Sequence, residues 1–191
     1  MIDMGKDAKT VLSVKRLYVG VGWKSTAGGK KGVMGAIKRR QGTDLDAWAV
    51  ALDANGVARA IAWFDDQDPY ENGSLLVSDD DKTGRGPGDD EFLTADLERI
   101  SGQVQSIIFG VSAYKPGVTF QSISSVSARI VDQGDNNREL GNFMLPVNAN
   151  VNSVALCKVV RRPDNTWEYT TTELLGNARD KAQIINLAAS A

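Results

Sequence analysis

The sequence predicts an all-β fold, a sandwich or a barrel, closed by one short C-terminal helix. Short segments rich in β-branched and aromatic residues recur along the chain with turn residues between them. Packed sheets require that rhythm, whereas helix bundles and doubly wound sheets do not. Period-two alternation through Asp46–Leu52 sets Ala47, Ala49 and Ala51 on one face against Trp48, Val50 and Leu52 on the other. Helical periodicity is confined to residues 178–189.

Taken in order, Leu17–Trp23 reads as the first strand and Asp46–Leu52 as the next. Asp53-Ala-Asn-Gly56 is a hairpin turn in which Asn55 and Gly56 supply positive φ angles, and Val57–Phe64 returns as the partner strand. Further strands are expected at Glu91–Leu97, Val104–Tyr114, Ser127–Asp132, Arg138–Leu145, Ser153–Arg162 and Thr166–Thr172, with Asp164 and Asn165 turning the last pair. The set amounts to about nine strands. Over Ala178–Ala189, Ile184, Ile185 and Ala188 repeat at helical spacing with Asp180 and Lys181 opposite, which predicts a helix lying on one sheet. With no internal repeat and no linker, the 191 residues are expected to form a single domain, 1–191.

Composition removes several function classes. The chain has no histidine, so Ser-His and Cys-His nucleophiles, the usual zinc sites and the commonest general base are absent. Its one cysteine, Cys157, lies in the apolar stretch Val154–Val160 and is expected to be a buried thiol. Gly28-Gly-Lys-Lys-Gly is not a phosphate-binding loop, and no Gly-x-Ser-x-Gly occurs. The tryptophans, Trp23, Trp48, Trp63 and Trp167, fall in expected strands and read as core. Lys158, Arg161 and Arg162 read as a solvated strand edge, with no nucleic-acid partner. The N-terminus lacks an apolar leader, and no apolar run approaches the roughly 20 residues that cross a bilayer, which points to a cytoplasmic location.

The net charge of −2 hides an uneven distribution. Residues 1–41 are basic, from Lys6 to Arg40, whereas Asp44–Glu98 is strongly acidic. Two long irregular stretches, 24–43 and 65–90, stand between expected strands; loops of that length in a compact domain usually bind something. The second carries Asp65, Asp66, Asp68 and Glu71, then Asp79-Asp-Asp-Lys-Thr-Gly-Arg-Gly-Pro-Gly-Asp-Asp-Glu91. Converging carboxylates oppose folding, by about 4 kcal/mol per pair at 4 Å and an effective dielectric near 20, unless a divalent cation joins them. Calcium takes six to eight oxygen ligands in flexible geometry, which Gly84, Gly86 and Gly88 allow the backbone to supply. Against an EF-hand loop, Asp79, Asp81, Thr83 and Gly84 match the opening positions, but Asp90 takes the final position with Glu91 one residue late, and Gly86-Pro-Gly88 prevents the second helix. Asp44-Leu-Asp46 adds two carboxylates at i, i+2, hence on one face of a strand start.

These residues carry a resemblance. Tyr18-Val-Gly-Val-Gly-Trp23, Asp44-Leu-Asp-Ala47, Trp63-Phe-Asp-Asp66, Thr83-Gly-x-Gly-x-Gly-Asp-Asp-Glu91, Ile107-Ile-Phe-Gly-Val111 and Ala128-Arg-Ile-Val131 stand in the order of the TerD family of tellurite-resistance and stress-response proteins, which the chain resembles over most of its length. The resemblance implies a β-sandwich of two mostly antiparallel sheets. It also implies a non-enzymatic role, two calcium ions and a stress-response assembly as partner. The metal ligands it implies are Asp44, Asp46, Asp65, Asp66, Asp80, Asp81, Asp89, Asp90 and Glu91, with backbone carbonyls from residues 82–86. The chain departs from the family at Thr43, where an aromatic is usual, at the N-terminal Leu-x-Lys-Gly stretch, and at Asp65, Asp66 and Asp81, where asparagines are common. The three aspartates preserve oxygen donors and raise the negative charge.

Two other functions compete with that reading. Clustered carboxylates could hold magnesium or manganese for phosphodiester or phosphoryl hydrolysis. Alternatively, calcium could support an anion- or lipid-binding surface at the membrane periphery, with Lys24–Arg40 and Trp23 as the contact region.

Overall fold

A computed structural model of the chain describes residues 3–25, 44–79, 88–147 and 149–191. The described strands are β1 (Lys9–Leu12), β2 (Arg16–Ser25), β3 (Asp46–Leu52), β4 (Ala58–Ala62), β5 (Leu75–Val77), β6 (Glu91–Asp96), β7 (Ser106–Ser112), β8 (Ile123–Asp132), β9 (Arg138–Pro146), β10 (Ser153–Arg161) and β11 (Trp167–Gly176), followed by helix α1 (Lys181–Ala189). They form two antiparallel sheets, one in the order β1-β11-β10-β7-β3-β4 and the other β5-β6-β2-β8-β9. The fold is the expected all-β sandwich with a short C-terminal helix.

Alternation along each strand decides what lies between the sheets. Leu17, Val19, Val21 and Trp23 of β2 and Leu93 and Ala95 of β6 meet Ala47, Ala49 and Ala51 of β3 and Ile107, Phe109 and Val111 of β7 in one apolar core. The opposite face of β3 forms a second core. Trp48, Val50 and Leu52 pack with Ile108 and Ala155 under Ile184 and Ala188 of α1. Strand β3 is therefore buried on both faces, as expected for a sheet covered by a helix on one side and a sheet on the other. Asp180 starts α1 by accepting a hydrogen bond from the Gln183 amide at 2.9 Å. Cys157 is buried in the first core, where burial pushes its thiol up to about 12.

Several local expectations need correction. In the β3–β4 turn only Gly56 takes a positive φ, 75°, and Asn55 does not. The turn is organised instead by Asp53, whose Oδ1 accepts from the amides of Asn55 (2.8 Å) and Val57 (3.0 Å), and the register slips between Ala51 and Leu52 as a bulge. The structure adds two short edge strands, β1 and β5, whose three or four residues are too few to display a period. Lys158, Arg161 and Arg162 do not form a strand edge, because β10 lies between β11 and β7. Arg161 stacks over Trp167 at 4.4 Å and donates to the Val104 carbonyl at 3.0 Å, while Arg162 pairs with Glu168 at 3.2 Å. Trp63 is only partly buried and sits just beyond β4, unlike the other three tryptophans. Most of the basic stretch Lys24–Arg40 lies outside the described residues.

Candidate metal centre

Strand β2 sends Tyr18, Gly20 and Gly22 to the outer face of the five-stranded sheet while its apolar residues face inward. Gly88, with φ 115°, turns the chain so that Asp89 and Asp90 lie over that glycine track. A Cβ at Gly20 would collide with the Asp89 carboxylate, and one at Gly22 would stand 2.9 Å from Ser127 Oγ and 3.5 Å from Asp90 Oδ2. The glycines are thus a cradle for two carboxylates. The Asp90 amide donates to the Val21 carbonyl at 2.8 Å, and Asp90 Oδ2 accepts from the Trp23 amide at 2.8 Å. The side chain replaces the backbone acceptor that β6 no longer provides beyond its first residue.

Asp89 is held differently. Its Oδ2 accepts from Arg129 Nη2 at 2.6 Å and from the Tyr18 hydroxyl at 2.8 Å, and its Oδ1 accepts from Arg129 Nε at 3.3 Å. Arg129 also lies 5.5 Å over the Tyr18 ring, which stacks on Phe92 at 5.2 Å. Burial, followed by the hydrogen bond to Asp89, pushes the Tyr18 hydroxyl up to about 12. The hydrogen bond to Asp89 likewise raises the Arg129 guanidinium.

Glu91 begins β6 and turns inward. It is 3% exposed, and its Oε2 accepts from the Ala47 amide at 2.8 Å, crossing from the five-stranded sheet to the six-stranded one. That bond joins Asp89-Asp-Glu91 to Asp44-Leu-Asp46, where Asp44 and Asp46 are half-buried and Leu45 is fully buried, as the i, i+2 spacing requires. Tyr114, just past β7, lies in the same neighbourhood. Burial pushes its hydroxyl well above the usual phenol range, and the charges of Asp46 and Glu91 push it further.

Tyr114 also connects the third acidic segment. Its ring meets Trp63 at 6.1 Å and Phe64 at 5.0 Å, edge to face. Those aromatics open a tight turn closed by paired 3.0 Å bonds between the backbones of Trp63 and Asp66, which leaves Asp65 and Asp66 exposed at its tip. Segments 44–47, 63–66 and 88–91 therefore gather at one end of the sandwich. Asp80 and Asp81 lie outside the described residues. Among the described residues no three carboxylates already sit in the geometry of a metal cage.

The geometry stands beside clear relationships to known proteins. A TerD domain model matches residues 1–174. The chain belongs to the TerD family. The tellurium resistance protein TerD of Alcaligenes is 33% identical over 174 residues, covering 87% of this chain and 84% of the relative. The tellurium resistance protein TerZ of Serratia marcescens is 28% identical over 93% of this chain and 90% of its own length. General stress protein 16U of Bacillus subtilis is 26% identical over 85% of this chain and 81% of its own. Among solved structures, a Streptomyces coelicolor homologue of the telluride resistance protein TerD superposes with a TM-score of 0.67 at 20% identity, covering 91% of this chain and 96% of that one. A second crystal structure, of a protein of unknown function, superposes at 0.71 with 19% identity over 93% and 98%. At those identities the superpositions speak for the fold.

The acidic end has partners that the carboxylate pattern did not reveal. Tyr18, Gly20 and Gly22 position Asp89 and Asp90, and Arg129 neutralises Asp89. The signal available for the glycines was their i, i+2 spacing in a strand, where glycine often marks close approach of another backbone or side chain. Arg129 lies in the motif Ala128-Arg-Ile-Val131, but nothing local assigns it to Asp89, which is 40 residues away in the chain. The donors gathered at this end are oxygens, with no imidazole in the chain and the one thiol buried in the core. Such a set suits a hard cation, calcium before the softer transition metals.

Proposed function

We propose that this TerD-family protein is a non-enzymatic calcium-binding module of the tellurium-resistance and stress-response type, acting in the cytoplasm within a stress-response assembly. The observation that carries the reading is the bond from the Ala47 amide to Glu91, which draws Asp44-Leu-Asp46 and Asp89-Asp-Glu91 together across the two sheets. Asp44, Asp46, Asp90 and Glu91 would supply the central oxygens, Asp65 and Asp66 would close the site from the aromatic turn, and Asp80 and Asp81 complete the expected set for two ions. When bound, calcium supplies the positive charge that offsets repulsion among these carboxylates. Asp89 enters such a site only in competition with Arg129, which makes the guanidinium an internal rival to the ion. The names of the tellurium-resistance and general stress relatives support the biological setting.

Titration calorimetry and thermal unfolding with calcium and magnesium test the reading. The expected outcome is saturable calcium binding and a rise in melting temperature, since a ligand of the native state must stabilise it. Absence of both heat and stabilisation at millimolar calcium would sink it.

A further inference from the structure

The outer face of the five-stranded sheet carries a second polar feature, away from the acidic end. Arg16 pairs with Asp96 across β2 and β6, and Val21 pairs with Glu91 in the same ladder. Five residues of strand separate those pairs by about 17 Å. Beside Arg16 a recess of about 340 Å³ opens, lined among others by Arg99, Gln133, Thr94, Leu76 and Phe92. That volume is within the range of small-molecule sites.

Asp96 organises the recess. The residue is 8% exposed; its Oδ2 accepts from Arg16 Nε at 3.3 Å, and its Oδ1 accepts from the backbone amides of Arg99 (3.2 Å) and Glu98 (3.3 Å). One buried carboxylate thus fixes the side chain of one arginine and the backbone of the other. The Arg99 guanidinium is braced by donation from Nη2 to the Asn72 carbonyl at 2.6 Å. A guanidinium carries five N–H donors, so each arginine keeps most of its donors, which have no partner among the described residues. Two guanidinium charges against one carboxylate leave the recess positive. Its other wall is apolar: Phe92, 37% exposed and held by its stack on Tyr18, stands with Leu76. Arginine pairs favour carboxylate and phosphate oxygens through bidentate, charge-assisted bonds, and an apolar wall beside them favours a ligand with a carbon body.

We propose that this recess binds a small organic anion, a phosphate monoester or a carboxylate whose apolar body lies against Phe92 and Leu76. Binding needs no calcium, which separates it from the acidic end. The test is an amide chemical-shift titration of the isotopically labelled full chain, in chelator, with phenyl phosphate, benzoate and inorganic phosphate. At least one aromatic anion is expected to shift the amides of Gly73, Ala95 and Arg99 saturably, and the tighter of the two identifies the head group. Arg16→Gln and Arg99→Gln are each expected to weaken that binding by about tenfold through loss of a charge-assisted pair. Arg138→Gln, outside the recess, leaves it unchanged. Should Arg16→Gln unfold for want of its bond to Asp96, Arg99→Gln keeps the test decisive. No saturable shift from either aromatic anion up to about 10 mM overturns the proposal. Shifts at unchanged affinity in the arginine variants also overturn it. Equal affinity for inorganic phosphate overturns the role given to Phe92 and Leu76.

Discussion

Arg129 grips both carboxylate oxygens of Asp89, with Nη2 2.6 Å from Oδ2 and Nε 3.3 Å from Oδ1. The pair sits on the glycine track of β2, and the Tyr18 hydroxyl completes its hydrogen bonding. An internal cation thus occupies the edge of the carboxylate cluster. The pair neutralises Asp89, and in the proposed calcium site the guanidinium would compete with the ion.

Replacing Arg129 by Gln separates those two effects. The calcium-free variant is expected to lose about 1–3 kcal/mol, because a largely buried carboxylate loses its charged partner. Calcium, taking the vacated position, is expected to bind several-fold more tightly and to raise the melting temperature more than in the parent. Thermal unfolding with and without calcium measures both. A variant as stable as the parent without calcium would show that the ion pair contributes little, and an unchanged calcium response would show that it does not compete.

Gly20→Ala tests the cradle. The added Cβ meets the Asp89 carboxylate, so either the 88–90 segment lifts or the strand shifts, at a cost of about 1–3 kcal/mol. Gly102→Ala is the control, since its Cβ meets nothing within 4 Å. That change is expected to be neutral or stabilising by up to about 1 kcal/mol through the unfolded chain. Denaturant midpoints of the two variants should move apart. If Gly20→Ala tracks Gly102→Ala, Asp89 is not packed on β2.

Glu91 is the tie between the sheets at the acidic end. Glu91→Ala orphans the buried Ala47 amide and is expected to cost about 1–3 kcal/mol. Glu91→Gln keeps an acceptor oxygen while removing the charge. It is therefore expected to retain most of the stability but to lose calcium affinity. Unfolding midpoints and calcium titrations of the two variants separate the structural bond from the charge; equal loss of stability in both would make the charge, not the bond, the stabilising element.

The parts of this molecule that were legible in the sequence are those in which a local pattern maps directly onto burial. The alternation of Ala47 to Leu52 gave a strand with two different faces, and both proved buried, one by the opposite sheet and one by α1. The i, i+2 pair Asp44 and Asp46 flanks a fully buried Leu45 for the same reason. Short edges are not legible in this way, because β5, three residues long, shows no period within the acidic stretch. The β3–β4 turn was placed correctly but its mechanism was not: the Asp53 side chain does the work assigned to Asn55. Long-range partnerships were beyond reach. Nothing near Arg129 names Asp89, and nothing near Arg16 names Asp96, because side-chain pairs across a sheet depend on register.

The four tyrosines give the fold a distinctive alkaline limit. Burial raises all of them: Tyr18 to about 12, Tyr70 above its ordinary value of 10.0, and Tyr114 and Tyr169 well above the phenol range. A group whose folded pKa exceeds its unfolded value contributes stability that is complete below the unfolded pKa and is lost as pH rises through the folded one. The window here opens at 10.0 and, for Tyr18, runs to about 12. Unfolding midpoints measured from about pH 9 to about pH 11 should therefore decline as the unfolded chain releases protons that the native tyrosines keep. Phenolate absorbance supplies the independent check. In denaturant all four phenols should titrate near 10.0, whereas in the folded protein each should ionise above that value, and Tyr18→Phe should remove a transition near 12. Phenols that titrate at the ordinary value in the folded protein would mean that these rings are wetter than their packing implies.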